Sequence, residues 1–204
     1  MRKSTLFAAV LVSLFLFLAQ FASAQQVDIF MGGGTLLSSS TNDNGPSMGG
    51  GTYLNIGGDV LPIKKFGFNV ETAWRATQGV YFSGEQNFRP ILTDFNFLYQ
   101  PHLGKRLGLD LMAGIGAGDN RFYVPGPSCS GCINYVSTDH FMTHVGGGVR
   151  FYVWRHVFVR PEVHYYYIEN NDNAQTSGSG YTFSSNNAFR VGASVGYTFG
   201  GGTD

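Results

Sequence analysis

The sequence predicts an all-β fold, an eight-stranded antiparallel up-and-down transmembrane β-barrel. Three observations carry that reading: an export leader, a period-two alternation of side chains that recurs eight times, and connections that alternate short and long. The chain opens with Arg2 and Lys3, runs apolar from Leu6 to Leu18 and reaches Ala22-Ser23-Ala24 before Gln25. A charged start, a short apolar stretch and a small-x-small cleavage site are the parts of a secretory signal peptide. Residues 1–24 are therefore read as signal peptide, 25–199 as barrel and 200–204 as a short flexible tail. A spanning helix needs about 20 apolar residues, and no Cys adjoins the cut to carry a lipid anchor.

Cleavage removes Arg2 and Lys3, which takes Lys+Arg from 13 to 11 against 13 Asp+Glu. No basic patch suggests nucleic acid as a partner. No later run is long enough for a spanning helix, so residence in a membrane demands a closed barrel.

The elements follow in order. Val27, Ile29, Met31, Gly33, Thr35 and Leu37 form one face of a first strand, weakened by Gly32-Gly33-Gly34, and residues 38–47 make a polar loop. Thr52, Leu54, Ile56, Gly58 and Val60 mark the second strand, ended by Pro62 and Lys64-Lys65. Phe66, Phe68, Val70, Thr72, Trp74 and Ala76 mark the third, opposed by Asn69, Glu71 and Arg75, and residues 77–89 read as a longer loop. The fourth strand, 90–100, sets Ile91, Thr93, Phe95, Phe97 and Tyr99 against Leu92, Asp94, Asn96 and Leu98. After a turn at 101–106 comes the fifth, Leu107 to Ala117, with Asp110 and Met112 on its other face, and then a long loop at 118–138. A hairpin over 139–169 supplies the sixth and seventh strands. There Phe141, Val145, Val149 and Phe151, then Val157, Val159, Val163 and Tyr165, oppose His140, His144, Arg150 and Tyr152, then Phe158, Arg160, Glu162, His164 and Tyr166. Pro161 forfeits a ladder donor, so a local bulge is expected there. A polar loop at 170–186 leads to the eighth strand, where Phe189, Val191, Ala193, Val195, Tyr197 and Phe199 oppose Arg190 and Gly192. Only a strand holds such alternating sets on opposite faces. Lengths of about ten residues suit a bilayer crossed at a tilt.

Alternation leaves open whether the apolar face meets lipid or lines a soluble ligand cavity. Three features favour lipid. The mature chain has only three lysines, Lys64, Lys65 and Lys105, all in short turns, whereas a soluble barrel spreads charge over its outside. Aromatic residues gather toward both ends of the apolar faces, as in interfacial girdles. The opposite face is Gly, Ser and Asn with Arg and acids, which suits a crowded interior.

With a leader, eight strands and the segment Val159-Arg160-Pro161-Glu162-Val163-His164-Tyr165-Tyr166-Tyr167, the sequence resembles bacterial outer-membrane β-barrel proteins of the OmpA-like and opacity-like type. The resemblance covers Val27 to Phe199 and implies the outer membrane of a Gram-negative cell, with outer-membrane lipid and the assembly machinery as partners. Arg190-x-Gly192-x-x-Val195-x-Tyr197, with Phe199, is similar to the family's C-terminal assembly signal; the tail from Gly200 departs from it. Functions within the family run from structural barrels and adhesins to small pores and a few lipid-modifying enzymes, so the fold alone does not choose among them.

The polar face carries the acids Glu71, Asp94, Asp110 and Glu162 and the arginines Arg75, Arg150, Arg160 and Arg190. Eight strands leave an interior only wide enough for side chains. Paired arginines and carboxylates are then the expected filling. His140, His144 and His164 share this face, but strand residues four apart are separated by about 13 Å, too far to chelate one ion together. Cys129 and Cys132 lie in an exported loop and are expected to form a disulfide. No cofactor or metal is expected. The leading expectation is a monomeric, non-enzymatic barrel with a plugged lumen, acting structurally or by surface contacts through four outer loops with an unspecified extracellular ligand. The alternatives are a small porin-like diffusion pore, which needs an open lumen, and a lipid-modifying enzyme, which needs a Ser–His pair facing lipid.

Overall fold

A computed structural model describes residues 26–39, 47–81, 86–123, 135–172 and 183–200. The alternating runs become β1 (Gln26–Leu37), β2 (Thr52–Ile63), β3 (Phe66–Arg75), β5 (Gln86–Tyr99), β6 (Leu107–Tyr123), β7 (Tyr135–Tyr152), β8 (Val157–Ile168) and β9 (Asn187–Gly200); β4 (Gly79–Tyr81) is a short addition. Each long strand pairs antiparallel with its neighbours in sequence. β1 meets β9, and β3 meets β5 from Phe66↔Tyr99 to Trp74↔Ile91, which closes the sheet into an eight-stranded barrel. No helix among the described residues is long and apolar enough to cross a membrane. The wall itself takes that role.

The wall inverts the usual order of a soluble protein. Val145 is 59% and Val195 52% exposed on the outside, while Arg150 and Arg160 are fully buried inside. The apolar face therefore looks outward, and the soluble-cavity alternative is excluded. Lumen filling also shapes the wall. A Cβ at Gly57 would collide with the Phe30 ring, and one at Gly196 would collide with the Phe158 ring. Glycine at these positions lets the two rings reach the barrel axis.

Four expectations need correction. The stretch 77–89 is not all loop, because β4 pairs with the outer part of β5 through Gly79↔Phe88 to Tyr81↔Gln86. The stretch 118–138 is likewise shorter as a loop, since β6 and β7 continue pairing to Tyr123↔Tyr135. There Arg121 lies over the Tyr135 ring at 5.1 Å and Arg89 over Tyr123 at 6.0 Å. The second strand, read as ending at Val60, runs on to Ile63, and the turn shrinks to Lys64-Lys65. Pro161 does not make a bulge. The β7–β8 ladder lapses between Gly148↔Glu162 and Phe151↔Val159 and resumes in the same register, while Pro161 stays paired with Ala193 of β9. The missing N–H thus costs pairing on one side only. The irregular step lies instead beside Pro62, where the β2–β3 register shifts between Val60 and Ile63.

Candidate functional site in the barrel lumen

From the end with short turns upward, the lumen has three storeys. At the bottom, Phe30, Tyr152 and Phe158 pack together, and Leu61, Leu98 and Met112 form a second small cluster. At the top, Leu36, Tyr53, Phe88, Leu92, Phe122, Met142, Ile168 and Phe183 form an apolar cap. Phe88 and Phe183 have ring centroids 5.1 Å apart, and Tyr81 meets Phe122 edge-on at 5.2 Å. Between cap and floor lies a charged lattice.

Three arginines organise it. Arg150 on β7 donates to Asp28, to Asp59 at 2.8 Å and to Asp110 at 2.9 Å, with its guanidinium 3.9 Å from the Phe158 ring centre. Arg160 on β8 donates from Nε to Glu162 at 2.8 Å and from Nη1 to Asp110 at 3.1 Å and Asp59 at 3.4 Å, while lying 4.1 Å over Phe30. Arg190 on β9 donates to Glu71 and stands 3.5 Å from Glu162. Charge-assisted bonds of this kind are about twice as strong as neutral ones, and the flanking rings exclude water from two of the guanidiniums.

Five carboxylates share these three guanidiniums, so amides supply further donors. Asn55 Nδ2 reaches Glu71 and Glu162, each at 3.2 Å, and Asn69 Nδ2 reaches Asp59 at 2.6 Å. Gln26 donates to Asp28 and Gln100 to Asp110 at 3.0 Å. Ser194 Oγ donates to Glu162 at 2.8 Å. Asp94 sits directly across from Glu71 in the β3–β5 ladder and takes its bond from Asn96. These amides keep neighbouring like charges in place where no fourth arginine is available.

The structure thus brings together Glu71, Asp110, Arg150, Arg160, Glu162 and Arg190, and adds Asp94 at one edge. Arg75 is not among them. It lies at the outer rim, half-buried, 5.3 Å over Phe88, and makes no ion pair among the described residues. Inward parity held for Arg75, but its height on β3 places it above the lattice. Two members escaped the sequence reading, Asp28 and Asp59. Their signal was parity, since each follows or precedes an outward residue, Val27 and Val60, by one position. The histidines divide. His144 Nε2 and His164 Nδ1 are 2.9 Å apart across β7 and β8, with stacked rings, and His144 Nδ1 is 2.6 Å from Asn96 Oδ1. His140 turns to the carbonyl of Glu169 at the rim.

Glu71, Glu162 and His164 bring potential ligand atoms within 4.8 Å of one another. Yet Arg190 and Arg160 already hold the two carboxylates, and their positive charges oppose a metal ion in that place. The arrangement is a cross-brace rather than a metal centre. Of the segment similar to an assembly signal, Arg190 points into this brace, while Val195, Tyr197 and Phe199 are exposed on the outer wall. Cys129 and Cys132 lie outside the described residues.

Residues 8–183 match the family model described as outer membrane protein beta-barrel domain. The chain belongs to this family. Solved barrels of the same architecture agree. Neisserial surface protein A is 14% identical, with 85% of this chain and 96% of that one covered at a TM-score of 0.57. The N-terminal barrel domain of Pseudomonas aeruginosa OprF is 12% identical, with 86% and 98% covered at 0.56. Ail, the attachment invasion locus protein of Yersinia pestis, is 12% identical, with 85% and 98% covered at 0.54 in its complex with sucrose octasulfate. No curated protein matches the chain in sequence. The likenesses show the fold, and family membership places this outer membrane protein β-barrel in the bacterial outer membrane.

Proposed function

We propose that the protein is a non-enzymatic, non-conducting outer-membrane barrel that acts structurally and by surface contacts at its outer end. The observation that carries this reading is the charged lattice that spans the lumen. Arg150, Arg160 and Arg190 are tied to acids on four other strands beneath a cap of aromatic side chains. An ion crossing such a lumen has to displace a guanidinium from its carboxylates, which costs several kcal/mol for each buried pair. The histidines of β7 and β8 all turn into the barrel, away from the lipid-facing wall where acyl-chain chemistry would take place. Two of the similar solved barrels are named for surface or attachment roles, which supports a role at the outer rim. The test is reconstitution in planar bilayers. The expected result is no steady open channel from the folded protein; a stable, ion-selective conductance refutes the reading in favour of a diffusion pore.

A further inference from the structure

The lipid-facing wall is not uniformly convex. Across β1, β2 and β3 it carries an open groove of about 920 Å3, lined by outward residues that include Ile29, Ile56, Val60, Phe68 and Val70, with Gly58 in its floor. Two local features lie at the concavity. Gly58 contributes no side chain where each neighbouring outward position of β2 carries a branched one, and the β2–β3 register shifts beside Pro62, the kind of irregularity that re-aims a strand end. Along β2 the groove runs from Ile56 to Pro62, six residue steps or about 20 Å. At the usual barrel tilt near 45°, that length rises about 14 Å, the depth of one leaflet of a hydrocarbon layer about 30 Å thick.

The groove ends at the short-turn side, the side that faces the periplasm in outer-membrane barrels, where β2 passes directly into the exposed pair Lys64-Lys65. The other short turns also carry cations, Lys105-Arg106 and Arg155, but it is the β2–β3 turn that closes a groove of leaflet length. Lysines at such a boundary extend their ammonium groups to the headgroup level while their stems stay on apolar surface.

We propose that this groove is a binding site for one anionic glycerophospholipid of the periplasmic leaflet. One acyl chain lies along Ile56, Gly58 and Val70, and the phosphate is met by Lys64 and Lys65. The charged end selects the anionic headgroup; the groove selects one bound molecule over the ordinary annulus of lipid.

Native mass spectrometry of the full, folded chain released from detergent tests this with two probes, phosphatidylglycerol and phosphatidylethanolamine of the same acyl chains. The expected result is one phosphatidylglycerol retained in preference to phosphatidylethanolamine. Lys64→Gln with Lys65→Gln should weaken phosphatidylglycerol retention about thirtyfold, at roughly tenfold per 1.4 kcal/mol and about 1 kcal/mol for each basic residue near an anionic headgroup. Lys105→Gln should leave it unchanged. Val70→Trp, an outward substitution that fills the groove, should remove retention of both lipids, and Ile56→Phe serves if that variant folds poorly. Equal retention of the two lipids, an equal loss in Lys105→Gln, or normal retention in a folded groove-filled variant overturns the proposal. So does a dimer that Val70→Trp abolishes, because the groove would then hold a second copy of the chain.

Discussion

Glu71 and Glu162 both pair with arginines in the lumen, and their truncation is expected to differ in cost. In Glu162→Ala, Arg160 loses its 2.8 Å acceptor but keeps Asp110 at 3.1 Å and Asp59 at 3.4 Å. Asn55 and Arg190, which also meet Glu162, keep Glu71, and Ser194 loses a neutral-donor bond. No guanidinium is stripped of every acid, so the loss is dominated by the charge-assisted bond to Arg160, about 1.5–3 kcal/mol. In Glu71→Ala, Arg190 keeps only Glu162, at 3.5 Å. That variant approaches the case of a buried charge stripped of its partner, about 3–5 kcal/mol. The assay is denaturant unfolding in lipid vesicles, followed by the fluorescence of Trp74 and Trp154 and by heat-modifiable gel mobility. The midpoint should fall in both variants and further in Glu71→Ala. Equal and small losses, below about 0.5 kcal/mol as for ordinary surface substitutions, would refute the reasoning by showing that water screens the lattice.

Arg75→Ala should cost less than about 1 kcal/mol, the value of a partly exposed cation–π contact, and an unfolding midpoint as low as that of Glu162→Ala would put Arg75 back in the lattice. Gly196→Ala drives a Cβ into the Phe158 ring and should cost about 1–3 kcal/mol by overpacking; the double variant with Phe158→Leu should recover part of the lost midpoint. Glu71→Ala should speed unfolding while leaving the folding rate into vesicles nearly unchanged, because its bond to Arg190 joins residues 119 apart in sequence and forms after most of the wall. Stopped-flow fluorescence separates the two rates.

Alternation along single strands is a local property, so the eight walls and their inward sets are legible in the sequence alone. Parity states which face a residue takes but not how high it sits or what stands opposite. Arg75 has the right parity and the wrong height, since it lies at the outer end of β3 where Phe88 rather than an acid is its neighbour. The contact of His144 with His164 depends on the register that sets His144 beside Tyr166 and His164 beside Gly146, and no spacing within either strand encodes it. Asp28 and Asp59 are hidden for another reason. They stand in β1 and β2, where Gly32-Gly33-Gly34 and Gly57-Gly58 thin out the alternation, so the apolar sets are visible and their opposing residues less so. The outer extensions of β5, β6 and β7 carry polar side chains outside the lipid zone, such as Arg89, Asp119 and Arg121, and lose the apolar half of the signal while keeping the ladder.

The apolar wall and the charged lattice specify different things. A slip of one residue between neighbouring strands turns every side chain to the wrong face, and the cost of arginine in lipid forbids it. A slip of two residues keeps every face correct, and a wall of similar apolar residues opposes it weakly. That slip moves a side chain about 6.6 Å along its neighbour. It would carry Arg150 out of reach of Asp28 on β1, Asp59 on β2 and Asp110 on β6, bonds that now join residues 122, 91 and 40 positions apart. Because the three acids come from strands on both sides of the closure at β1–β9, one guanidinium tests the stagger of the whole cylinder. Arg160 repeats the test on Asp59 of β2 and Asp110 of β6. The lattice therefore supplies the register discrimination that a two-residue apolar period lacks.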